Sequence, residues 1–215
     1  MEIEKTNNVV DDKQGKNRSY RSINKFADEI KAEKEFLRAR KKLFNINKWS
    51  ELPGITSSFQ LYSALGEKKY KDKPKINDYI KIDIPGPFPE NWVVISSIEQ
   101  GERIAQFTVK PSSKPEKNGK NVKETEHFFD QESSSTFKVE RKGKLLYGYE
   151  IGKNEVINNE GKEAAGRKVM NTLIVIGAWA GFQKLQWEKL TDYLVHKTEV
   201  ENSQTTAFLE NEKTK

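Results

Sequence analysis

The sequence predicts an α+β fold in which an antiparallel β-sheet, or a small barrel of about six strands, packs against one N-terminal helix and two C-terminal helices. Apolar residues recur with a helical period near both ends of the chain, and they alternate with a period of two in the middle. Short turns that contain glycine join successive period-two segments. Because turns this short connect antiparallel neighbours, we expect an antiparallel sheet.

The composition indicates one folded domain between two polar tails. Of the 215 residues, 34% are hydrophobic and 33% are charged. Large apolar side chains are scarce in residues 1–20 and 198–215, so we expect disordered tails there and a single α+β domain over residues 21–197. Cysteine is absent, which excludes disulfides and thiolate chemistry. We see no secretory signal, and the longest apolar run, Leu173–Phe182, is too short for a membrane span, so we expect a cytoplasmic protein.

Apolar spacing predicts a helix at the start of this domain. Ser22 is a suitable N-cap residue, so we expect the helix to begin there. Apolar residues recur every seven positions and form one stripe: Ile23, Ile30, Leu37 and Phe44. Phe36 and Leu43 fall nearly opposite that stripe. We therefore expect the stripe to face the sheet, with Phe36 and Leu43 more exposed and able to contact the C-terminal helices or a protein partner.

The apolar period changes to two after the Pro53-Gly54 break. Six segments are predicted to be strands: residues 57–61, 80–84, 92–98, 103–109, 136–140 and 145–151. Two loops interrupt them. Residues 85–89 contain three prolines, which make a stiff loop that presents Phe88 as a candidate interaction residue. Residues 110–125 are polar and rich in lysine, so we expect this loop to be exposed.

Helical spacing returns in the C-terminal part of the domain. We predict one apolar helix over residues 163–180 and a second helix over residues 183–195, with a bend near Gly181. The inward stripe of the second helix is formed by three apolar side chains: Trp187, Leu190 and Leu194. Both helices are expected to pack on the sheet, because each has too many apolar residues to stand alone in water.

No set of residues in the sequence matches a catalytic, metal or cofactor site. The chain has two histidines, neither of them in a zinc-protease, hydrolase or calcium-loop pattern. The stretch 161–168 approaches the spacing of a phosphate-binding loop. However, Arg167 and Lys168 stand where that loop needs a lysine and a hydroxyl residue for magnesium. We therefore assign no catalytic, cofactor-binding or metal-binding residue and expect that the protein is not an enzyme.

The net charge of +6 permits binding to nucleic acid without requiring it. Positive charge is concentrated in the loop of residues 110–123, which supplies four candidate contact residues: Lys114, Lys117, Lys120 and Lys123. Nucleic-acid surfaces usually combine such charge with aromatic side chains or a recognition helix. No aromatic residue lies between Phe107 and Phe128. A solvated loop and a loop that contacts phosphates both stay open as interpretations.

The order of elements in residues 76–195 resembles the START-like, helix-grip group of ligand-binding proteins. Four features carry the resemblance: a strand ending in Pro85-Gly86-Pro87, the hairpin Trp92–Val109, a strand carrying Ser134-Ser135-Thr136-Phe137, and a long C-terminal helical segment. The resemblance covers just over half of the chain and includes no catalytic motif. It implies a curved antiparallel sheet that closes on the C-terminal helix around an apolar cavity. That group opens with a strand, whereas a long charged helix is expected first in this chain.

The lack of a catalytic set, the polar tails, the two-sided helix and the stiff proline loop favour a non-enzymatic structural or interaction protein. We expect a component of a larger assembly, such as a virion or another multiprotein machine, with a protein partner or as a homo-oligomer. Two alternatives stay open: a START-like carrier of a small apolar ligand, and a basic nucleic-acid-associated protein that uses the lysine-rich loop.

Overall fold

The computed structural model describes residues 11–12, 15–85, 90–115, 133–154 and 178–200. Seven strands form one antiparallel sheet: β1 (Arg18–Lys25), β2 (Ser58–Tyr62), β3 (Tyr79–Asp83), β4 (Asn91–Gln100), β5 (Ile104–Ser112), β6 (Ser134–Lys142) and β7 (Leu145–Lys153). The helices are α1 (Glu29–Leu43), α2 (Ala178–Leu194) and a 3-10 helix (Ile46–Glu51). A two-residue antiparallel pair, Asp11–Asp12 with Gly15–Lys16, precedes β1.

The strands follow the spatial order β1-β7-β6-β5-β4-β3-β2, so the first two strands of the chain lie at opposite edges of the sheet. The sheet curls into a half-barrel. The predicted α+β class with an antiparallel sheet is confirmed, but the sheet has seven strands rather than about six. β2 to β7 coincide with the predicted period-two segments, because apolar side chains of β2 to β6 pack against the core at alternate residues and large residues of β7 alternate along its outer face.

The N-terminal part of the domain differs from the sequence prediction. Ser22 lies within β1 and is not a helix N-cap. β1 lacks apolar alternation because its inner positions hold Ser22 and Asn24. Ser22 hydrogen bonds to Thr191 of α2, and Asn24 donates a hydrogen bond to the carbonyl oxygen of Val195, just after α2. Residues 18–20, expected in a disordered tail, belong to the strand. Within the seven-stranded sheet, β1 comes first along the chain and is followed by α1, which is the order that the START-like resemblance implies.

α1 begins at Glu29, because the side chain of Asp28 caps it and accepts a hydrogen bond from the Lys31 backbone N–H at 2.7 Å. Ile23, which anchored the predicted apolar stripe, lies in β1 instead. The helix therefore buries residues in a different phase from the one predicted. An acidic first turn and a basic last turn flank the buried part, and this order suits the helix dipole.

The buried side of α1 is formed by four apolar residues, each 0% exposed: Ala32, Phe36, Ala39 and Leu43. By contrast, Ile30 is 71% exposed and Leu37 is 40% exposed. The prediction that Phe36 and Leu43 are the more exposed pair is therefore wrong. Small alanine side chains let α1 approach the sheet closely, and Phe36 and Leu43 fill the space beside them.

α2 is hydrogen bonded to both edges of the sheet. At one edge, Gln186 Oε1 accepts hydrogen bonds from the backbone N–H groups of Thr56 (3.2 Å) and Ser57 (3.4 Å), just before β2. At the other edge, Thr191 Oγ1 lies 3.0 Å from Ser22 Oγ of β1. Gln186 and Thr191 are about 7.5 Å apart along a helix axis. Because the outer strands of a flat seven-stranded sheet lie about 29 Å apart, the sheet must curl around α2.

A glycine permits the contact between α2 and β7. A Cβ atom at Gly148 would lie 2.9 Å from the Thr191 carbonyl oxygen and 3.2 Å from Leu194 Cβ. The first distance is shorter than real Cβ contacts and the second is tight, so a side chain here would displace the helix backbone, and glycine is favoured at this position. α2 continues through Gly181, where a bend was predicted. Residues 163–177, most of the predicted first C-terminal helix, lie outside the described residues.

The edge strand β2 has its outward backbone groups hydrogen bonded by neighbouring residues. Ser50 Oγ accepts from the Phe59 N–H at 2.8 Å and donates to the Phe59 carbonyl at 3.2 Å. Asn47 Oδ1 accepts from the Leu61 N–H at 2.7 Å, and the Lys69 N–H donates to the Leu61 carbonyl at 2.8 Å. These four groups are satisfied without a further strand.

Aromatic rings fill the space between the sheet and the helices. The ring centroid of Trp49, from the 3-10 helix, lies 5.6 Å from that of Phe59, 5.9 Å from Phe107 and 5.0 Å from Phe137. Trp187 of α2 lies 5.4 Å from Phe137 and 6.3 Å from Phe59. These five residues are called the aromatic cluster below. Ring pairs at such separations stabilise the core by more than their buried area alone.

The chain beyond α2 stays in contact with the domain as far as Val200. Val200 packs against the core, and Glu199 Oε2 lies 2.9 Å from Lys42 Nζ of α1. Residues 198–200 therefore belong to the folded domain and not to the predicted tail, whose remaining residues, 201–215, lie outside the described part. Within the described part of the chain, no helix is long and apolar enough to cross a membrane.

We predict that Phe36→Ala lowers the free energy of unfolding by about 3–5 kcal/mol, because it leaves a cavity in the core. The neighbouring change Leu37→Ala should alter it by no more than about 0.5 kcal/mol, because Leu37 faces solvent and alanine favours a helix. Urea unfolding followed by circular dichroism measures both. Equal losses for the two variants would contradict the helix phase described above.

We also predict that Gly148→Ala destabilises the protein by about 1–3 kcal/mol, because the added methyl group must displace the α2 backbone. Gly101→Ala is the matched control. Its Cβ atom would meet the Ile104 carbonyl oxygen at 3.5 Å, which is ordinary contact. Thermal unfolding of the two variants gives the comparison. A stable Gly148→Ala protein with an unchanged melting temperature would refute the close approach of α2 to β7.

Candidate functional site

The inner face of the sheet, the side against which α2 packs, forms the candidate site. Side chains on β7 alternate between the inner and the outer face. Leu146 lies in the core and Gly148 contacts α2, so Glu150, two residues further along, also lies on the inner face. Tyr147 and Tyr149 stack on each other on the outer face, with their ring centroids 6.0 Å apart. The inner positions of β7 are therefore unusual, because they include two small residues and a carboxylate.

Glu150 is 0% exposed. Its cross-strand partners are Tyr20 on β1 and Phe137 on β6. Two residues from Phe137 on the same face, Ser135 pairs with Val109 of β5. These five residues are called the Glu150 region. The region combines one buried carboxyl group, two partly exposed side chains that carry hydroxyl groups, and buried apolar neighbours.

The Glu150 region adjoins the aromatic cluster, because Phe137 belongs to both. A molecule that contacts this part of the inner face would meet aromatic rings on one side and a carboxylate on the other. A carboxyl group accepts hydrogen bonds when ionised and can also donate one when protonated, and ring faces attract apolar groups and cations. The arrangement suits a ligand with an apolar body and a hydrogen-bond donor.

The described residues do not supply metal ligands at this face. Within them, no group of three or more His, Asp or Glu side chains could hold a metal ion. His196 lies beyond the end of α2, and its Nε2 atom is 2.9 Å from the Glu35 carbonyl oxygen of α1. His127 lies outside the described residues.

A cluster of polar groups fixes the end of α2 to α1. Lys42 Nζ donates a hydrogen bond to the Tyr193 carbonyl oxygen at 2.8 Å and lies 2.9 Å from Glu199 Oε2. Burial raises the pKa of the Tyr193 hydroxyl to about 12 and lowers the pKa of Lys42. Burial also lowers the pKa of His196, so its imidazole is neutral near pH 7. This cluster holds α2 in place over the inner face.

Three of the seven predicted interaction residues lie in the described part of the chain, and these three do not form one exposed surface. Phe36 and Leu43 are in the core. Lys114 is exposed just after β5, with its Nζ atom 3.6 Å from Glu90 Oε2, so a carboxylate offsets part of its charge. The other four candidates lie outside the described residues: Phe88, Lys117, Lys120 and Lys123.

Sequence reasoning missed Glu150 and Gly148. One signal for both was present in the alternation of β7. Gly148 and Gly152 stand two residues before and after Glu150, on the same face. Glycine within a strand often marks the close approach of another backbone. An acid between two such glycines therefore lies on the face that another element covers.

Comparisons with known proteins give a similarity of fold without a family. No protein-family model matches the chain, and no curated protein matches it. A hypothetical protein from Helicobacter pylori has a similar crystal structure, with a TM-score of 0.51 and 11% sequence identity, over 89% of this chain and 99% of that chain. At this identity the likeness concerns the fold alone.

Two further solved structures are similar at lower scores. Norcoclaurine synthase from Thalictrum flavum has a TM-score of 0.41 and 10% identity, over 84% of this chain and 96% of that chain. The di-domain ARO/CYC protein StfQ of the steffimycin biosynthetic pathway has a TM-score of 0.41 and 8% identity, over 84% of this chain and 51% of that chain. Because both TM-scores are below 0.5, the fold comparison depends on the Helicobacter protein.

The expectation of a non-enzymatic structural or interaction protein in a larger assembly is wrong. The curled sheet with α2 bound to both of its edges has the arrangement that the START-like resemblance implies. The main sequence argument for a docking role also fails, because Phe36 and Leu43 are buried. The START-like alternative agrees better with the structure. No observation on the described residues tests the expected absence of enzymatic activity, which stays a prediction.

We predict that His196→Asn makes stability less dependent on pH. The folded-state pKa of His196 lies below its ordinary value of 6.5. As the pH falls through about 6.5, the unfolded chain therefore takes up the proton first, and the folded protein loses stability until the lowered pKa is reached. Asparagine cannot take up this proton, and it tolerates the φ of +65° found here.

Urea unfolding at about pH 7.5, 6.5 and 5.5 measures this effect. Burial alone would raise the pKa of nearby Glu35, but its hydrogen bond with Lys31 and the charge of His196 lower it overall, so that Glu35 titrates below this range. If the variant and the original protein lose the same stability between pH 7.5 and 5.5, the buried neutral imidazole does not cause the loss.

Proposed function

We propose that the protein binds a small, mostly apolar ligand between the inner face of the sheet and α2, as a START-like carrier does. The observation that carries the proposal is Glu150, a carboxylate that is 0% exposed on the inner face of the sheet. A buried ionisable side chain costs stability unless its surroundings compensate. Such groups therefore occur more often at functional sites than in ordinary cores.

The neighbours of Glu150 support an apolar ligand with a polar end. Phe137 and Trp187 provide aromatic surface, with their ring centroids 5.4 Å apart. The hydroxyl groups of Tyr20 and Ser135 provide hydrogen-bonding atoms on the same face. Ligand sites commonly combine a mostly apolar lining with a few polar groups that orient the ligand. In the proposed site, the carboxylate of Glu150 accepts a hydrogen bond from a donor on the ligand.

The fold supports this proposal over a structural role. α2 is tied to both edges of the curled sheet, through Gln186 at one edge and Thr191 at the other. α2 covers the open side of the curled sheet beside α1 and the 3-10 helix, and its residues Trp187, Leu190 and Leu194 pack in the core. A helix that packs on one face of a sheet can move away from it more easily than a strand within the sheet, which is hydrogen bonded along its length. Ligand entry would then need only a small displacement of α2.

We predict that Ser135→Trp weakens binding of an apolar probe at least about tenfold, which corresponds to about 1.4 kcal/mol. The added ring would occupy the inner face beside Glu150. The probe is N-phenyl-1-naphthylamine, a neutral dye whose fluorescence rises in apolar surroundings, and a fluorescence titration gives its dissociation constant.

Thr136→Trp is the matched control, because Thr136 lies on the same strand with its Oγ1 atom 2.9 Å from Thr108 Oγ1 on the outer face. This variant should bind the probe as the original protein does. Circular dichroism must show that both variants are folded. No binding by the original protein, or an equal loss in both variants, would count against a site on the inner face.

A further inference from the structure

The side of α1 that faces away from the sheet carries two isolated apolar side chains. Ile30 is 71% exposed and Leu37 is 40% exposed. They are seven residues apart, about 10.5 Å along the helix. Because Phe36 and Leu43 fix the buried side of α1, Ile30 and Leu37 lie on the opposite side of the helix. Apolar side chains that project singly from a helix are not explained by the packing of this domain.

Lysine residues share this side with the two apolar residues. Lys34 and Lys41 are each four residues after Ile30 or Leu37, which places all four in one row. Both lysines are exposed, and neither forms an ion pair with another described residue. We name this row the α1 ridge: Ile30, Lys34, Leu37 and Lys41.

Two further cations border the α1 ridge. Lys31 Nζ and Arg38 Nη1 lie 2.9 Å and 3.2 Å from the carboxylate of Glu35. Both side chains are about half exposed, at 55% and 51%. Arg38 Nη2 also lies 2.5 Å from Glu199 Oε1, so Glu35 and Glu199 offset these two charges, and the unpaired positive charge beside the apolar residues comes from Lys34 and Lys41. Glu33 is the acid nearest to the ridge on the helical wheel, so the positive charge exceeds the negative charge on this side.

We infer that the α1 ridge docks the protein on a membrane surface that contains anionic lipid. Helices that lie in such surfaces combine basic residues with apolar ones that enter the headgroup region. Lysine suits this position, because its aliphatic stem follows the apolar residues while its ammonium group stays with the phosphates. A protein partner would need a broad complementary surface, whereas a lipid surface adapts to one helix with two projecting side chains.

The docking is weak and reversible, because only two apolar side chains enter the lipid and the rest of the attraction is screened by salt. It does not rest on the proposed ligand site, which lies on the other side of α1 within the domain. A failure of one proposal therefore leaves the other standing. If both hold, the protein exchanges its ligand at a lipid surface.

Co-sedimentation of the full chain with large vesicles tests the inference. One vesicle preparation contains phosphatidylcholine alone, and the other contains about 30 mol% phosphatidylglycerol. We expect binding to the anionic vesicles only, with a clear loss when ionic strength rises from about 0.1 M to about 0.5 M. Ile30→Ser with Leu37→Ser should lower the partition coefficient at least about fivefold, since both apolar anchors are lost.

The chain offers matched controls for both kinds of change. Leu65 and Ile76 are 59% and 53% exposed, and they lie in the lysine-rich connection between β2 and β3. Leu65→Ser with Ile76→Ser therefore removes the same residue types at similar exposure elsewhere, and it should leave binding unchanged. For charge, Lys34→Glu with Lys41→Glu should abolish binding, whereas Lys34→Arg with Lys41→Arg should retain it.

Three results would overturn the inference. The first is an absence of binding to anionic vesicles or equal binding to both preparations. The second is a loss in the control pair that equals or exceeds the loss in the Ile30 and Leu37 pair. The third is a change of oligomeric state in the Ile30 and Leu37 variant, seen by sedimentation without vesicles, which would show that a second copy of the chain covers the ridge. Circular dichroism confirms that each variant is folded.

Discussion

The contact between α2 and β7 at Gly148 determines the arrangement of the other elements. There the helix backbone lies too close to the strand for any side chain between them, with only 2.9 Å between the position of a Cβ atom and the Thr191 carbonyl oxygen. This approach brings Thr191 within hydrogen-bonding distance of Ser22 on β1. It also lets Gln186, on the same helix, reach the residues before β2. One helix can therefore hold both edges of the sheet, and the curl of the sheet follows.

Five strands, β2 to β6, could be predicted from the sequence because their inner side chains are apolar and pack against one core. β7 could also be predicted, because large residues alternate along its outer face at Leu145, Tyr147, Tyr149 and Ile151. β1 could not be predicted, because its inner residues Ser22 and Asn24 are polar and form hydrogen bonds to Thr191 of α2 and to the carbonyl group of Val195. In the sequence alone, a strand with polar inner residues resembles an irregular segment, because the hydrogen-bond partners on α2 are not known. The missed strand also led to a wrong prediction for α1. With β1 taken as part of a helix, Ile23 fixed the wrong phase, and the buried and exposed sides of α1 were exchanged.

The candidate site was hidden for a related reason. On β7, the larger aromatic residues Tyr147 and Tyr149 lie on the outer face, while the inner face holds glycines and Glu150. Size and hydrophobicity alone would assign the tyrosines to the core. The outer face retains them because Lys138 lies over the Tyr149 ring, 5.0 Å from its centroid, and such contacts stabilise aromatic side chains at a surface. Where a helix backbone approaches a strand, the rule that large apolar residues point inward fails.

The hydrogen bonds along β2 also bear on how native copies of this protein behave at high concentration. The sheets of many molecules can join into one long sheet only if each molecule has two edge strands with unpaired backbone N–H and C=O groups. Ser50, Asn47 and Lys69 satisfy the outward backbone groups of Phe59 and Leu61 on one of these edges. Another molecule therefore cannot add a strand at these positions of β2 while the protein is folded. Fibres built on this sheet would first have to detach the segment that carries Asn47 and Ser50, which Trp49 anchors in the core.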